Sequence, residues 1–162
     1  RLLQDLEGVR FKIVGAPYDK VSQQAEFESS VAELPNVEYL GKLEQQAVNA
    51  LLCKAHLLVN TSLAEGFSNT FIQAWMREVP VLTIGVNPDN MLNNSKFGKC
   101  CESVQELVDS IRQLVMEPER LSEMGAQSCA KSIEMFSMRN ADQLAEMILK
   151  SGIDSAMRKT KD

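Results

Sequence analysis

Short apolar stretches alternate along the chain with longer amphipathic ones. Val9-Arg-Phe-Lys-Ile-Val14 puts Val9, Phe11 and Ile13 on one side of an extended backbone, the two-residue period of a strand, and Gly15-Ala-Pro17 ends it. Residues 21–33 are polar and helix-like, closing before Pro35. Val37-Glu-Tyr-Leu40 is a second strand, stopped by Gly41. Residues 43–54 place Leu43, Ala47, Ala50, Leu51 and Lys54 at helical spacing. His56-Leu-Leu-Val-Asn60 is a third strand, apolar at its centre. A helix runs from Ser68 to about Glu78, with Phe71, Ile72, Trp75, Met76 and Val79 toward the core. Pro80-Val-Leu-Thr-Ile84 is a fourth strand, ended by Gly85.

Residues 86–98, rich in Asn, Asp, Pro and Gly, read as a long loop of the kind that often carries function. A short strand near Lys99–Cys101 follows. Helices are predicted at about 103–116, 118–135 and 138–151, with Pro118 in a first turn. Leu107, Ile111, Leu114 and Val115 recur at helical spacing as core, and the methionines concentrated in this half read as core filling. At the other end, Arg1-Leu-Leu-Gln-Asp-Leu6 reads as part of a helix. The expectation is therefore a piece of a longer protein.

Strands separated by helices signal βαβ units and a parallel sheet. The fold class is α/β, a Rossmann-like open parallel sheet with helices on both faces. Ligands of such sheets bind beyond the carboxyl ends of the strands. That rule selects residues 15–19, 41–43, 61–70 and 85–95.

Composition narrows the function. The 162 residues, 44% hydrophobic and 24% charged, fit one globular domain and exclude wholesale disorder. The domain spans residues 1–151, with a polar and basic tail at 152–162. No apolar run approaches the roughly 20 residues of a membrane-spanning helix. The net charge of −5 argues against a nucleic-acid partner. Arg158, Lys159 and Lys161 read as a solvated tail, or as a weak contact with a membrane surface. The expected setting is cytoplasmic, peripheral at the inner membrane face if that contact forms. The four cysteines form no CxxC pair and the sole histidine is His56, so zinc spacing and a hydrolase triad are both absent. Cys53, Cys100, Cys101 and Cys129 read as reduced thiols.

The stretch Asn60-Thr-Ser-Leu-Ala-Glu-Gly-Phe-Ser-Asn-Thr70 carries the candidate chemistry. Gly66 lets a ligand approach the backbone closely. Ser68 stands where an N-cap belongs, leaving the amides of Asn69, Thr70 and Phe71 near the positive end of a helix, an anion site suited to a phosphate or diphosphate. Asn69, Gln73 and Arg77 share one helix face. Glu65, beside that anion site, suits hydroxyl groups of a ligand whose phosphate is held nearby. Spacing alone also fits, slightly better, a capped helix with an exposed acidic loop, and that reading stays open.

Glu65-Gly-Phe-Ser-Asn-Thr-Phe-Ile-Gln-Ala-Trp75 followed by Val79-Pro-Val81 resembles the donor-site signature of glycosyltransferase family 4, retaining enzymes of the GT-B fold. Phe11-Lys-Ile-Val-Gly15, Pro35-Asn-Val-Glu-Tyr-Leu-Gly41 and Leu57-Leu-Val-Asn-Thr-Ser62 match that family's strand order, and the resemblance covers about residues 1–150. It implies the C-terminal half of a GT-B fold, binding a nucleotide-diphospho-sugar such as a UDP-sugar. An N-terminal domain outside this chain would present a glycan or lipid-linked acceptor, in a pathway such as polysaccharide biosynthesis. Glu65 would then be the catalytic carboxylate that hydrogen-bonds the donor sugar. Gly66, Phe67, Ser68, Asn69 and Thr70 would form the turn at sugar and diphosphate. Gln73 would hold the ribose, and Gly41 and Lys42 would receive the base. No cofactor or metal is implied, because basic side chains and helix amides neutralise the diphosphate.

Two departures stand out. Gln73 replaces the family's second Glu, so one acceptor oxygen and one donor nitrogen face the ribose diol. Val86-Asn-Pro-Asp-Asn90 replaces a Gly-Gly turn, with Asn87 and Asn90 as substitute polar contacts. The family's diphosphate-neutralising Arg and Lys would fall before Arg1, so the chain alone is expected to be inactive. The alternative is a non-catalytic nucleotide-binding or assembly module that has lost donor chemistry. A related-fold epimerase is the third reading.

Overall fold

The computed structural model describes residues 2–15, 21–62, 68–94, 97–137, 142 and 146–147. In chain order its elements are β1 (Phe11–Val14), α1 (Val21–Ala32), β2 (Val37–Gly41), α2 (Gln45–Leu52), β3 (Leu58–Asn60), α3 (Asn69–Trp75) and β4 (Val81–Ile84). A 3-10 segment, Pro88–Asn94, then leads to β5 (Gly98–Cys101), α4 (Val104–Met116) and α5 (Pro118–Phe136). The predicted helix at 138–151 and the tail at 152–162 lie almost wholly outside the described residues.

Every strand pair is parallel. β1 pairs with β2, and β4 lies between β3 and β5. The expected single sheet is thus two ladders, with no hydrogen bonds joining them among the described residues. Side chains leave alternate faces of a strand. Val81 enters one core cluster with Leu52, Phe71, Ala74, Trp75, Leu92 and Phe97. Its neighbour Leu82 enters a second with Cys101, Leu107, Ile111, Leu114 and Met124. α2 and α3 therefore cover one face of β4, and α4 and α5 the other, so the strand reads as continuously apolar. Each large side chain buried here contributes about 1.5–3 kcal/mol.

Two contacts fix this packing. Trp75 is fully buried, and its indole N–H donates to the Phe97 carbonyl at 2.8 Å. At Gly98 a Cβ would lie 1.7 Å from the Val81 carbonyl oxygen, so only glycine lets β5 pair with β4 there.

Several expectations are corrected. Residues 2–5 form turns rather than helix, with the Leu6 amide donating to the Leu3 carbonyl at 3.3 Å. α2 buries Leu52 and packs Val48 against the core, one position away from the predicted stripe, and Ala47 and Ala50 are exposed. α3 stops near Met76 instead of Glu78. Glu78 takes the left-handed conformation (φ 59), its amide donates to Trp75, and the Val79 amide donates to Ala74, both at 3.0 Å. These are the paired bonds of a Schellman turn. Met76 is consequently exposed instead of core-facing. Met116, Met135 and Met147 are exposed too, and only Met124 among the described methionines is buried.

Candidate functional site

The described candidate residues Gly41, Lys42, Ser68, Asn69, Thr70 and Asn87 lie after the carboxyl ends of β2, β3 and β4. Glu65, Gly66 and Phe67 lie outside the described residues. Ser68 precedes α3 in an extended conformation (φ −78, ψ 120), and its side chain caps no helix amide. The Phe71 amide donates to the Ser68 carbonyl at 3.0 Å, so it does not remain open as expected. The amides of Asn69 and Thr70 have no partner among the described residues. Asn69 is exposed, and Thr70 and Gln73 are half-buried. Arg77 leaves the row expected with Asn69 and Gln73. It lies past the end of α3, and its guanidinium donates to the Gln73 carbonyl at 2.8 Å. A cation at a helix C-terminus is favourable there.

Gly41 and Lys42 end β2. The Gly41 carbonyl accepts the Gly15 amide at 3.0 Å, and the Tyr39 hydroxyl donates to the Gly15 carbonyl at 3.4 Å. Phe27 of α1 meets the Tyr39 ring edge-on at 5.1 Å between centroids. These contacts tie the ends of β1 and β2 together and leave Lys42 exposed just beyond them.

After β4, the buried Thr83 hydroxyl donates to the Val86 carbonyl at 2.5 Å, turning the chain at Gly85. The Asn87 side-chain oxygen then accepts the Leu92 amide at 2.9 Å, and its nitrogen donates to the side chain of Asn93. Asn87 thus organises the 3-10 segment. Asp89 (φ 49) and Asn90 (φ 56) are both left-handed inside it, a conformation that Asp and Asn tolerate better than most residues. The sequence marked this stretch as irregular. Its internal cap could be inferred only from the Asx chemistry of Asn87.

The thiols are free. Burial pushes the Cys101 thiol up, opposed by its Ser110 contact. Among the described residues no three His, Cys, Asp or Glu side chains gather as a metal-binding group. No described helix is long and apolar enough to cross a membrane.

A family model described as glycosyl transferases group 1 matches residues 1–117. A Xenopus tropicalis protein, glycosyltransferase 1 domain-containing protein 1, is 31% identical over 113 residues, covering 68% of this chain and 32% of its own length. Anabaena Alr3699/HepE, crystallised in complex with UDP, superposes with a TM-score of 0.76 at 19% identity, covering 93% of this chain and 43% of that one. Sucrose-phosphate synthase from Thermosynechococcus elongatus superposes at 0.73 with 16% identity, covering 95% and 41%. The chain spans less than half the length of each of these proteins. Parallel strands flanked by helices match the C-terminal domains of GT-B glycosyltransferases. By its sequence match and its fold together, the chain belongs to the group 1 glycosyl transferase family.

Proposed function

We propose that this chain is the donor-binding part of a retaining, nucleotide-sugar-dependent glycosyltransferase. The observation that carries the reading is the sequence Glu65-Gly66-Phe67-Ser68, which runs from the end of β3 to the first turn of α3 at the carboxyl edge of the strands. UDP in the HepE crystal supports a uridine nucleotide as the first donor to test. In this reading Glu65 hydrogen-bonds the donor sugar, and the turn through Thr70 receives sugar and diphosphate. Gln73 holds the ribose, and Gly41 and Lys42 flank the base. Asn87, whose side chain also winds the Pro88–Asn94 segment, is a polar contact of the donor in the loop after β4. Amides aimed at the leaving diphosphate stabilise its developing charge without a resident metal. A part of the protein outside this chain supplies the acceptor, a glycan or lipid-linked sugar.

Titration of the 162-residue chain with UDP, GDP and ADP, followed by amide NMR, tests the site. Shifts at residues 65–73, 41–42 and around Asn87 are expected with one nucleotide. Unmoved resonances with all three would sink the donor assignment. In the full-length protein Glu65→Ala should cut turnover at least about 100-fold, and wild-type turnover would remove its role.

Gln73 favours one second reading, a module that keeps the fold and no longer transfers sugar. Transfer from any nucleotide sugar by the full-length protein excludes it.

A further inference from the structure

The two ladders share apolar contacts. Phe11 of β1 packs against the cluster of Leu82, Cys101, Leu107 and Ile111, and so do Leu57 and Val59 of the other ladder. Apolar contact is non-directional, so it presses the ladders together without fixing the angle between them. The N-terminal turn supplies direction. Its Leu3 and Leu6 rest on the same cluster, and polar bonds reach it from both sides. From the first ladder, the Asn36 carbonyl accepts the Phe11 amide at 2.8 Å, and its side-chain nitrogen donates to the Leu3 carbonyl at 3.0 Å. From the second comes Arg112 of α4, a helix packed on β4 and β5. Its guanidinium donates to both oxygens of Asp5, at 2.7 and 2.8 Å, and to the Leu2 carbonyl at 2.8 Å.

Asn36 immediately precedes β2, and the turn precedes β1, so this strap crosses the amino edge of the strands. The donor residues occupy the opposite edge, Gly41 and Lys42 at the end of β2 and Ser68 to Gln73 after β3. An ion pair as exposed as Arg112 with Asp5 adds little stability. Three bonds from one planar guanidinium fix orientation instead. The four residues of β1 span about 13 Å at about 3.3 Å each. A rotation of about 5° at the strap therefore carries the far edge by about 1 Å, a displacement large enough to disable a site.

We propose that Arg112 and Asn36 are positioning residues for the donor site. Through the turn they grip, they set the spacing between its base end on the first ladder and its phosphate end after β3. The inference rests on the donor reading above. A nucleoside diphosphate bridges both ends, and a bridging ligand gains affinity only where the two ends stand at the separation it spans. Its fragments use one end each and are indifferent to that separation.

Titration of the full-length protein with UDP, uridine and inorganic pyrophosphate tests this. Arg112→Ala should weaken UDP at least about fivefold and leave uridine and pyrophosphate within about twofold of wild type. Asn36→Ala should give the same split from the other side of the turn. Equal loss of all three ligands, or loss of none, overturns the proposal and leaves the donor reading standing. Wild-type protein that binds none of the three sinks both. Residual dipolar couplings need no nucleotide. In unliganded Arg112→Ala they should report β1 and β2 turned relative to β3, β4 and β5, and couplings identical to wild type also overturn the proposal.

Discussion

At position 125 no side chain fits. A Cβ on Gly125 of α5 would lie 2.1 Å from the Glu78 carbonyl oxygen, in the turn that ends α3. Gly125→Ala must push the helix off that turn, at about 1–3 kcal/mol, read as a lower urea midpoint. Relieving the left-handed strain at exposed Glu78 has the opposite sign, and Glu78→Gly should raise stability by about 0.5–1 kcal/mol. Gln73→Glu replaces a neutral acceptor by a charged one. It should tighten nucleoside diphosphate binding by about 1 kcal/mol, roughly fivefold in Kd by calorimetry, if Gln73 meets the ribose. Single positions show what the sequence could reveal. Phe71, Trp75 and Val79 were legible because helical spacing and size agree. Met76 was not, since a Schellman turn built on Glu instead of Gly carries no stop signal in the sequence.

Elements depend on a few polar bonds of their own. Asn87→Ala removes both contacts that wind the Pro88–Asn94 segment and leaves the Leu92 amide without its partner. A loss of about 1–2 kcal/mol is expected, with exchange broadening confined to residues 86–94. The N-terminal turn depends on charge. Arg112 of α4 donates to both oxygens of Asp5, at 2.7 and 2.8 Å, and to the Leu2 carbonyl at 2.8 Å. The Arg112 hydrogen bond, before any other influence, holds the Asp5 carboxyl below its ordinary range. A lowered carboxylate stabilises the fold above its unfolded pKa, about 3.9, and that contribution is lost as pH falls through the folded value. Arg112→Gln should therefore be less stable than wild type at about pH 7, with the difference shrinking as acid protonates Asp5 and the Leu2 carbonyl bond accounting for what remains, by chemical denaturation at each pH. Strand and helix order were legible from alternation alone. The face of α2 was not, because Leu51 and Leu52 are adjacent and either could lead the stripe.

Across the whole molecule, two cores on opposite faces of β4 explain why the α/β class was readable. Alternate residues of a doubly covered strand must all be apolar, and Val81 to Ile84 nearly are. The division into two ladders was invisible, because alternation says which face a residue takes and not which strand lies beside it. If helix amides and side chains alone neutralise the diphosphate, EDTA should leave sugar transfer by the full-length protein unchanged, while the 162-residue chain transfers nothing. A radiolabelled-donor assay checks both. The chain also carries its own reporter. Trp75 is its sole tryptophan, sealed from water, with the indole nitrogen held by Phe97 at the foot of the helix that starts at Asn69. Tryptophan emission from the 162-residue chain therefore comes from one position, and its colour follows the docking of a single short helix onto the strand beneath it.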